Sequence, residues 1–297
     1  MKKNVPIYDQ ITIIGGGLIG VSLAKIVKKN KLVNKLKIYD KSKIVRDRLQ
    51  TLKIADEVCE TLIDSVNNSD LTVLAIPVGS MGEVSKSISG FLKKESVLTE
   101  TGSTKISVIS EIKPNLPKNV WFIPSHPLAG TENSGPDAGY ADLFKGKYWI
   151  LLPDNEVPSS ISKKLEKFYS SCGAITEFMK PDYHDKILAI TSHLPHLIAY
   201  TIVGTATDLE EQTKHDVVRF SATGFRDFTR IAASDPIMWR DVFLNNRDAV
   251  LEMLQRFNED LSYLQRSIRW SEGEKLEKLF TRTREIRRSI IQEGQDK

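Results

Sequence analysis

The sequence has 297 residues, 40% of them hydrophobic and 27% charged, which describes a globular chain long enough for two domains and excludes a disordered, collagen-like or disulfide-stapled protein. Lysine and arginine number 42 against 38 aspartate and glutamate, a net charge of +4 without the basic excess of a dedicated nucleic-acid binder. The two cysteines, Cys59 and Cys172, form no Cys-x-x-Cys pattern, so neither a zinc cluster nor a disulfide framework is expected, and a reducing cytoplasm fits best.

The N-terminus, Met1 to Pro6, leads into no signal-peptide apolar region. No uninterrupted apolar run approaches the roughly 18 residues that a bilayer span needs, so a soluble chain with no membrane partner is expected. Short β-branched runs then alternate with lysine-rich amphipathic stretches: Ile11–Ile14, Leu36–Tyr39, Leu71–Ile76, Ser96–Thr99 and Val120–Ile123 read as successive strands. Tyr148–Leu152 and Ala174–Met179 bracket one more helical stretch and extend the same sheet. After Pro181 the strand signals stop and apolar residues recur at three- and four-residue intervals almost to the end. The pattern predicts an α/β doubly wound sheet of Rossmann type over 1–180 and an all-α domain over 181–297. Pro181 suits a first helical turn, and that helix is expected to run to about Asp208 with a kink at Pro195. Further helices are expected over Pro236–Ser267, with Asp235 as its cap, and over Glu274–Ile291.

Gly15-Gly16-Gly17-Leu18-Ile19-Gly20 follows the first strand and opens a helix, so Gly15, Gly17 and Gly20 fill a G-x-G-x-x-G turn. Gly15 permits the tight turn, Gly17 lets backbone N–H groups at Leu18 and Ile19 approach a pyrophosphate, and Gly20 lets helix and strand pack closely. Asp40 ends the second strand, where a carboxylate accepts hydrogen bonds from ribose hydroxyls and repels a 2′-phosphate, which favours NAD. Lys41, Lys43 and Arg46 lie just beyond it and would welcome that phosphate, so NADP stays open. Ile76-Pro77 and Thr101-Gly102-Ser103-Thr104-Lys105 stand at the ends of later strands, facing the crevice where an open α/β sheet binds ligands.

His126 follows the fifth strand in a loop stiffened by Pro124 and Pro127. A hydride leaves a carbinol readily only if the hydroxyl proton is taken, and an imidazole near neutrality can take it; a loop histidine that merely bonds its neighbours is the alternative. Ser192 and His196 are four residues apart on one helical face, suited to a substrate in the cleft. His193 and His196 lack the pattern of a zinc site, so no metal is expected. Arg226 and Arg230, also four apart, would repel unless an anion lies between them, and two guanidinium forks suit a dicarboxylate; pairing with Asp227, Asp235 or Asp241 would satisfy them equally.

Together with His126-Pro127-Leu128-Ala129-Gly130-Thr131-Glu132, Ser192-His193-Leu194-Pro195-His196 and the Gly224–Asp241 block, these motifs resemble the prephenate dehydrogenase family of tyrosine biosynthesis. The resemblance implies NAD-dependent oxidative decarboxylation of prephenate to 4-hydroxyphenylpyruvate by a monofunctional homodimer. It further implies that His126 accepts the C4 hydroxyl proton and that Ser103 orients His126. By the same resemblance Arg230 holds the ring carboxylate, and Arg226, Ser192 and His196 surround the pyruvyl side chain. Asp227, Trp239 and Thr131 would shape the site, and Glu132 would gate it through an ion pair. Arogenate or dual cyclohexadienyl dehydrogenases share the pattern. An imine or hydroxyacid dehydrogenase with Lys186 as its catalytic lysine, and a catalytically silent NAD-binding dimer, are the remaining readings.

Overall fold

The computed structural model describes residues 5–207, 219–220 and 222–292. Its strands are β1 (Tyr8–Ile14), β2 (Val33–Tyr39), β3 (Glu57–Val58), β4 (Leu71–Leu74), β5 (Val97–Glu100), β6 (Trp121–Pro127), β7 (Tyr148–Leu151) and β8 (Ile175–Phe178). They form one sheet in the order β3-β2-β1-β4-β5-β6-β7-β8. All neighbours are parallel except β6 and β7. Parallel neighbours need crossovers, supplied by α1 (Leu18–Lys29), α2 (Lys43–Leu52), α3 (Leu62–Val66), α4 (Met81–Ile88), α5 (Ile106–Ile112) and α6 (Ser159–Ser171).

The chain runs outward from β1 to β3, returns to β4 on the other side of β1, and continues to β6. The order therefore reverses between β1 and β4, and the loops at the carboxyl ends of these two strands border the crevice that such a reversal opens. Successive residues of each strand face opposite sides: Ile13, Val73 and Ile123 join one buried cluster with Trp149 and Phe168, whereas Ile14, Leu74 and Leu98 join another with Val108 and Ile112. The central strands β4 and β5 are buried at every position, as expected of parallel strands covered on both faces.

Several elements depart from expectation. The two-residue edge strand β3 is too short to carry a periodic signal. His126 does not lie in a loop, because β6 continues through Pro127. There Ser125, His126 and Pro127 lie opposite Leu151, Ile150 and Trp149 of β7. The prolines are tolerated because Pro127 is the last residue of the strand and Pro124 still offers its carbonyl, which accepts from Leu152 N–H at 2.9 Å. The long helix after Pro181 is α7 (Pro181–Leu188), a π-helical turn over Ala189–His193, and α8 (Leu194–Thr207). A proline in mid-helix removes one N–H and crowds the preceding turn, and the wider turn directly before Pro195 relieves that crowding. The expected end at Asp208 lies outside the described residues.

By length and composition Pro181–Ala206 would suffice to cross a membrane, a property that a scan for uninterrupted apolar runs does not register. It is interrupted by Asp182, Asp185 and Lys186, and its Asp185 carboxylate is hydrogen-bonded to the start of α5. The same compact unit, Met1–Arg247, also includes α9 (Thr223–Thr229) and α10 (Pro236–Asn245), the latter capped by Asp235, which accepts from Met238 N–H at 2.8 Å. The unit thus continues past the change of composition near residue 180. The second unit, Asp248–Lys297, contains most of α11 (Arg247–Arg269) and α12 (Gly273–Gln292). Their connection is closed by Glu272 N–H donating to the Ser267 carbonyl at 2.9 Å. The helical stretch expected over Pro236–Ser267 is interrupted at Asn246, whose side chain is engaged elsewhere.

Candidate active site

At the crevice, Gly15 has φ +112°, and a Cβ there would stand 2.1 Å from the Ala75 carbonyl oxygen just after β4. A Cβ on Gly20 would lie 2.0 Å from the Gly15 carbonyl oxygen. Gly17 has open space where its Cβ would be and begins α1 with no side-chain cap. Uncapped backbone N–H groups at the start of a 12-residue helix, beside open space, fit a pyrophosphate. Gly16, to which the sequence assigns no role, is also crowded: a Cβ would meet the Val45 side chain at 2.6 Å and the Leu49 side chain at 2.8 Å, and these would have to shift.

Asp40 is fixed beside this loop. Its Oδ2 accepts from Gly16 N–H and its Oδ1 from Ser42 N–H, each at 2.8 Å. Two of the three nearby cations are engaged: Lys43 pairs with Asp47 at 2.9 Å, and Arg46 donates to the Asp40 carbonyl at 3.0 Å and to Glu60 at 3.3 Å. Ile76 packs against the turn, its Cγ2 3.0 Å from where a Gly15 Cβ would sit, and Pro77 follows it.

At the reacting end, His126 Nδ1 lies 2.9 Å from His184 Nε2, and His184 Nδ1 lies 2.8 Å from Asp185 Oδ1. A carboxylate only accepts, so His184 carries its proton on Nδ1 and, when neutral, offers Nε2 as acceptor. His126 must then donate through Nδ1–H, leaving its Nε2 with a lone pair, the form a proton acceptor needs. Asp185 is itself anchored by Lys105 N–H at 2.8 Å and Ile106 N–H at 2.9 Å. Burial, reinforced by His184, Lys105 and His193, holds His126 well below the usual imidazole range, so it is neutral at pH 7. His184 is also shifted down by burial, although Asp185 opposes this.

Beneath these rings, Asn246 donates to the Asp185 carbonyl at 2.9 Å and to His193 Nδ1 at 3.0 Å. The carbonyl requires the amide NH2 on that side, so His193 accepts at Nδ1 and keeps its proton on a buried Nε2 that has no partner among the described residues. Burial pushes His193 down to about 4. The His196 ring stacks on Trp239 with centroids 3.6 Å apart, and its Nδ1–H donates to the Ser192 carbonyl at 2.8 Å. Burial lowers His196 too, and nearby Arg230 adds to this. Arg230 pairs with Glu132 at 2.9 Å, with 58% and 35% of the two side chains exposed.

Two family models match in succession, one described as prephenate dehydrogenase, nucleotide-binding domain, over residues 23–177, the other as prephenate dehydrogenase, dimerization domain, over residues 180–282. A cyclohexadienyl dehydrogenase from Zymomonas mobilis is 40% identical over 96% of this chain and 97% of its own length. The chain belongs to the prephenate dehydrogenase family. A Bacillus subtilis prephenate dehydrogenase is 29% identical over 94% of this chain and 75% of its own length. A crystal structure of prephenate dehydrogenase from A. aeolicus, in complex with hydroxyphenyl propionate and NAD+, superposes with a TM-score of 0.88 at 31% identity, covering 95% of this chain and 98% of that one.

Within this family fold, His126 stands in the imidazole chain, His196 with Trp239 and Ser192, and Arg230 with Glu132. Ser103 has no hydrogen bond to His126 among the described residues; His184 is the partner that orients the ring. Arg226 and Asp227 are exposed on α9, and Thr131 is exposed beside Glu132. Lys186 is exposed while its neighbours His184 and Asp185 are buried, so it is turned away from the imidazole chain. His184, Asp185, Glu100 and Asn246 were given no role in the site by sequence reasoning, and Lys105 entered only as the last residue of the Thr101–Lys105 motif. The available signal was a histidine next to an aspartate in the first helix after Pro181.

Proposed function

We propose that this dehydrogenase of the prephenate dehydrogenase family carries out NAD-dependent oxidative decarboxylation of prephenate to 4-hydroxyphenylpyruvate. The observation that carries the reading is the Asp185–His184–His126 chain, which leaves a neutral imidazole with its Nε2 lone pair free. The glycine turn and Asp40 would hold NAD, which would supply the hydride acceptor for C4. His126 Nε2 takes the C4 hydroxyl proton as the C4–H bond breaks, and the chain behind it stabilises the imidazolium that results. The forming C4 carbonyl makes the ring carboxylate a vinylogous β-keto acid: its C–C bond breaks, carbon dioxide leaves, the electron pair completes the aromatic ring, and the C4 oxygen takes back a proton from the His126 imidazolium. Arg230 holds that carboxylate once it exchanges Glu132 for substrate, and Arg226, Ser192 and His196 surround the side chain. NAD rather than NADP is supported by the fixed Asp40 carboxylate and by the engagement of Lys43 and Arg46.

Dual cyclohexadienyl specificity is the second reading. With Nδ1–H donating to the Ser192 carbonyl, neutral His196 presents Nε2 as an acceptor, which suits the ammonium of arogenate, whereas a pyruvyl oxygen would pair with it only when the imidazole is protonated. The substrate domain begins at Pro181 on this reading. The molecule would be a homodimer, to which Leu251, Leu261, Tyr263, Ile268 and Phe280, exposed on α11 and α12, would contribute.

Reduced-nicotinamide absorbance with prephenate or arogenate, each with NAD or NADP, tests the assignment. A rate with prephenate and NAD alone is expected. Comparable rates with both substrates would select the dual reading, and silence in all four with NAD binding intact would leave a non-catalytic NAD-binding protein.

A further inference from the structure

β5 ends at Glu100, opposite Pro124, so the next residue of β6, Ser125, has lost its parallel neighbour one position before His126. Two side chains take that neighbour's place. The Glu100 carboxylate accepts from Ser125 N–H at 3.2 Å, and Lys105 Nζ donates to the Ser125 carbonyl at 2.7 Å. Glu100 and Lys105 are fully buried and bonded to each other, and Glu100 also accepts from Gly102 N–H at 2.6 Å. The backbone N–H of the same Lys105 holds the Asp185 carboxylate that anchors His184. One lysine thus fastens the peptide beneath His126 and the far end of the hydrogen-bond chain that orients its ring.

We propose that Lys105, paired with Glu100, is the positioning residue that sets the orientation and proton-accepting state of His126. This rests on reading His126 as the proton acceptor. The titratable and charged groups facing His126 are His184 and Asp185 of α7, His193 of the π turn, and Lys105 with Glu100 beyond β5. Burial drives Lys105 and Glu100 toward their neutral forms, and their contact with each other opposes this. A cation held there opposes protonation of His126, as does its burial. A buried pair used only to stabilise the fold could be replaced by neutral side chains of similar volume without affecting the base.

The test compares kcat/KM against pH for the wild type, Lys105→Met, Lys105→Met with Glu100→Gln, and His126→Asn, alongside 15N-histidine spectra of each. The double variant leaves no unpaired buried charge and keeps the volume, so it is expected to fold even where the single variant does not. In it the acid limb of the profile is expected to move up by about one pH unit, with kcat lowered about tenfold or more, KM little changed and the His126 Nδ1–H signal weakened. A uniform loss of activity with the limb and spectrum in place would overturn the proposal, as would failure of the double variant to fold, which would assign the pair to stability. Full activity in His126→Asn would overturn the proton-acceptor reading instead, and the two failures are distinguishable because only the latter spares that variant.

Discussion

The nucleotide end of the site and its reacting end are made of different materials. The first is mainly backbone, a glycine turn that opens into the uncapped start of α1, with one carboxylate alongside. The second is a chain of buried side chains from β6, α7 and the start of α5. A backbone site is altered by adding atoms to it, whereas a side-chain network is altered by changing where protons reside. Substitutions at the two ends should therefore fail in different observables.

His126→Asn is the sharpest test. Asparagine retains a donor toward His184 but cannot accept the substrate proton, so kcat should fall by roughly 10² to 10⁴ in steady-state assays while NAD affinity stays the same. At the other end, Gly15→Ala and Gly17→Ala should separate folding from binding. The first places a Cβ 2.1 Å from a backbone oxygen at φ +112°, and should destabilise the fold by roughly 3 kcal/mol in urea unfolding. The second meets nothing within 4 Å, so Tm should hold while NAD affinity, measured by calorimetry, falls about tenfold as the methyl fills the phosphate cradle. Equal loss of stability in both would remove the distinction between the two glycines.

The buried imidazoles also tie the reacting end to pH. His193 has an ordinary value of 6.5, lowered to about 4 in the folded chain by burial. Below pH 6.5 the unfolded chain binds a proton that the folded one does not accept until near 4. Stability is thus fully present above 6.5 and declines as pH falls, by about 3 kcal/mol from this residue alone. Urea unfolding at pH 7 and pH 4.5 should show the decline, and His193→Gln should reduce it. Arg230→Gln should have the smallest effect. Because Arg230 is largely exposed and already paired with Glu132, its loss should raise KM for prephenate by roughly 1 kcal/mol, about fivefold, with kcat nearly unchanged.

The sheet and the glycine turn were legible in the sequence because each is a local signal: β-branched runs of a few residues, or glycines within six positions. The imidazole chain was not, because His126 and His184 are 58 residues apart and no spacing rule connects a sheet residue with a helix in the other half of the chain. Lys105 could be read as part of a motif, but not that its ammonium and its backbone N–H bond two different segments. The interruption at Asn246 carried no glycine or proline to announce it. Its cause is tertiary, an amide drawn inward to the Asp185 carbonyl and His193. The prolines around His126 suggested a loop, and only pairing with β7 shows that they flank a residue within a strand.

That placement has a consequence for freedom of movement. With β7 along one edge and the Glu100 and Lys105 side chains on the other, the peptide carrying His126 has little room to shift, leaving two side-chain torsions as its main freedom. The Nδ1 contact with His184 restrains both. The imidazole is then a fixed reference point, and catalytic alignment becomes a matter of bringing the substrate's hydroxyl to it rather than of bringing the base to the substrate.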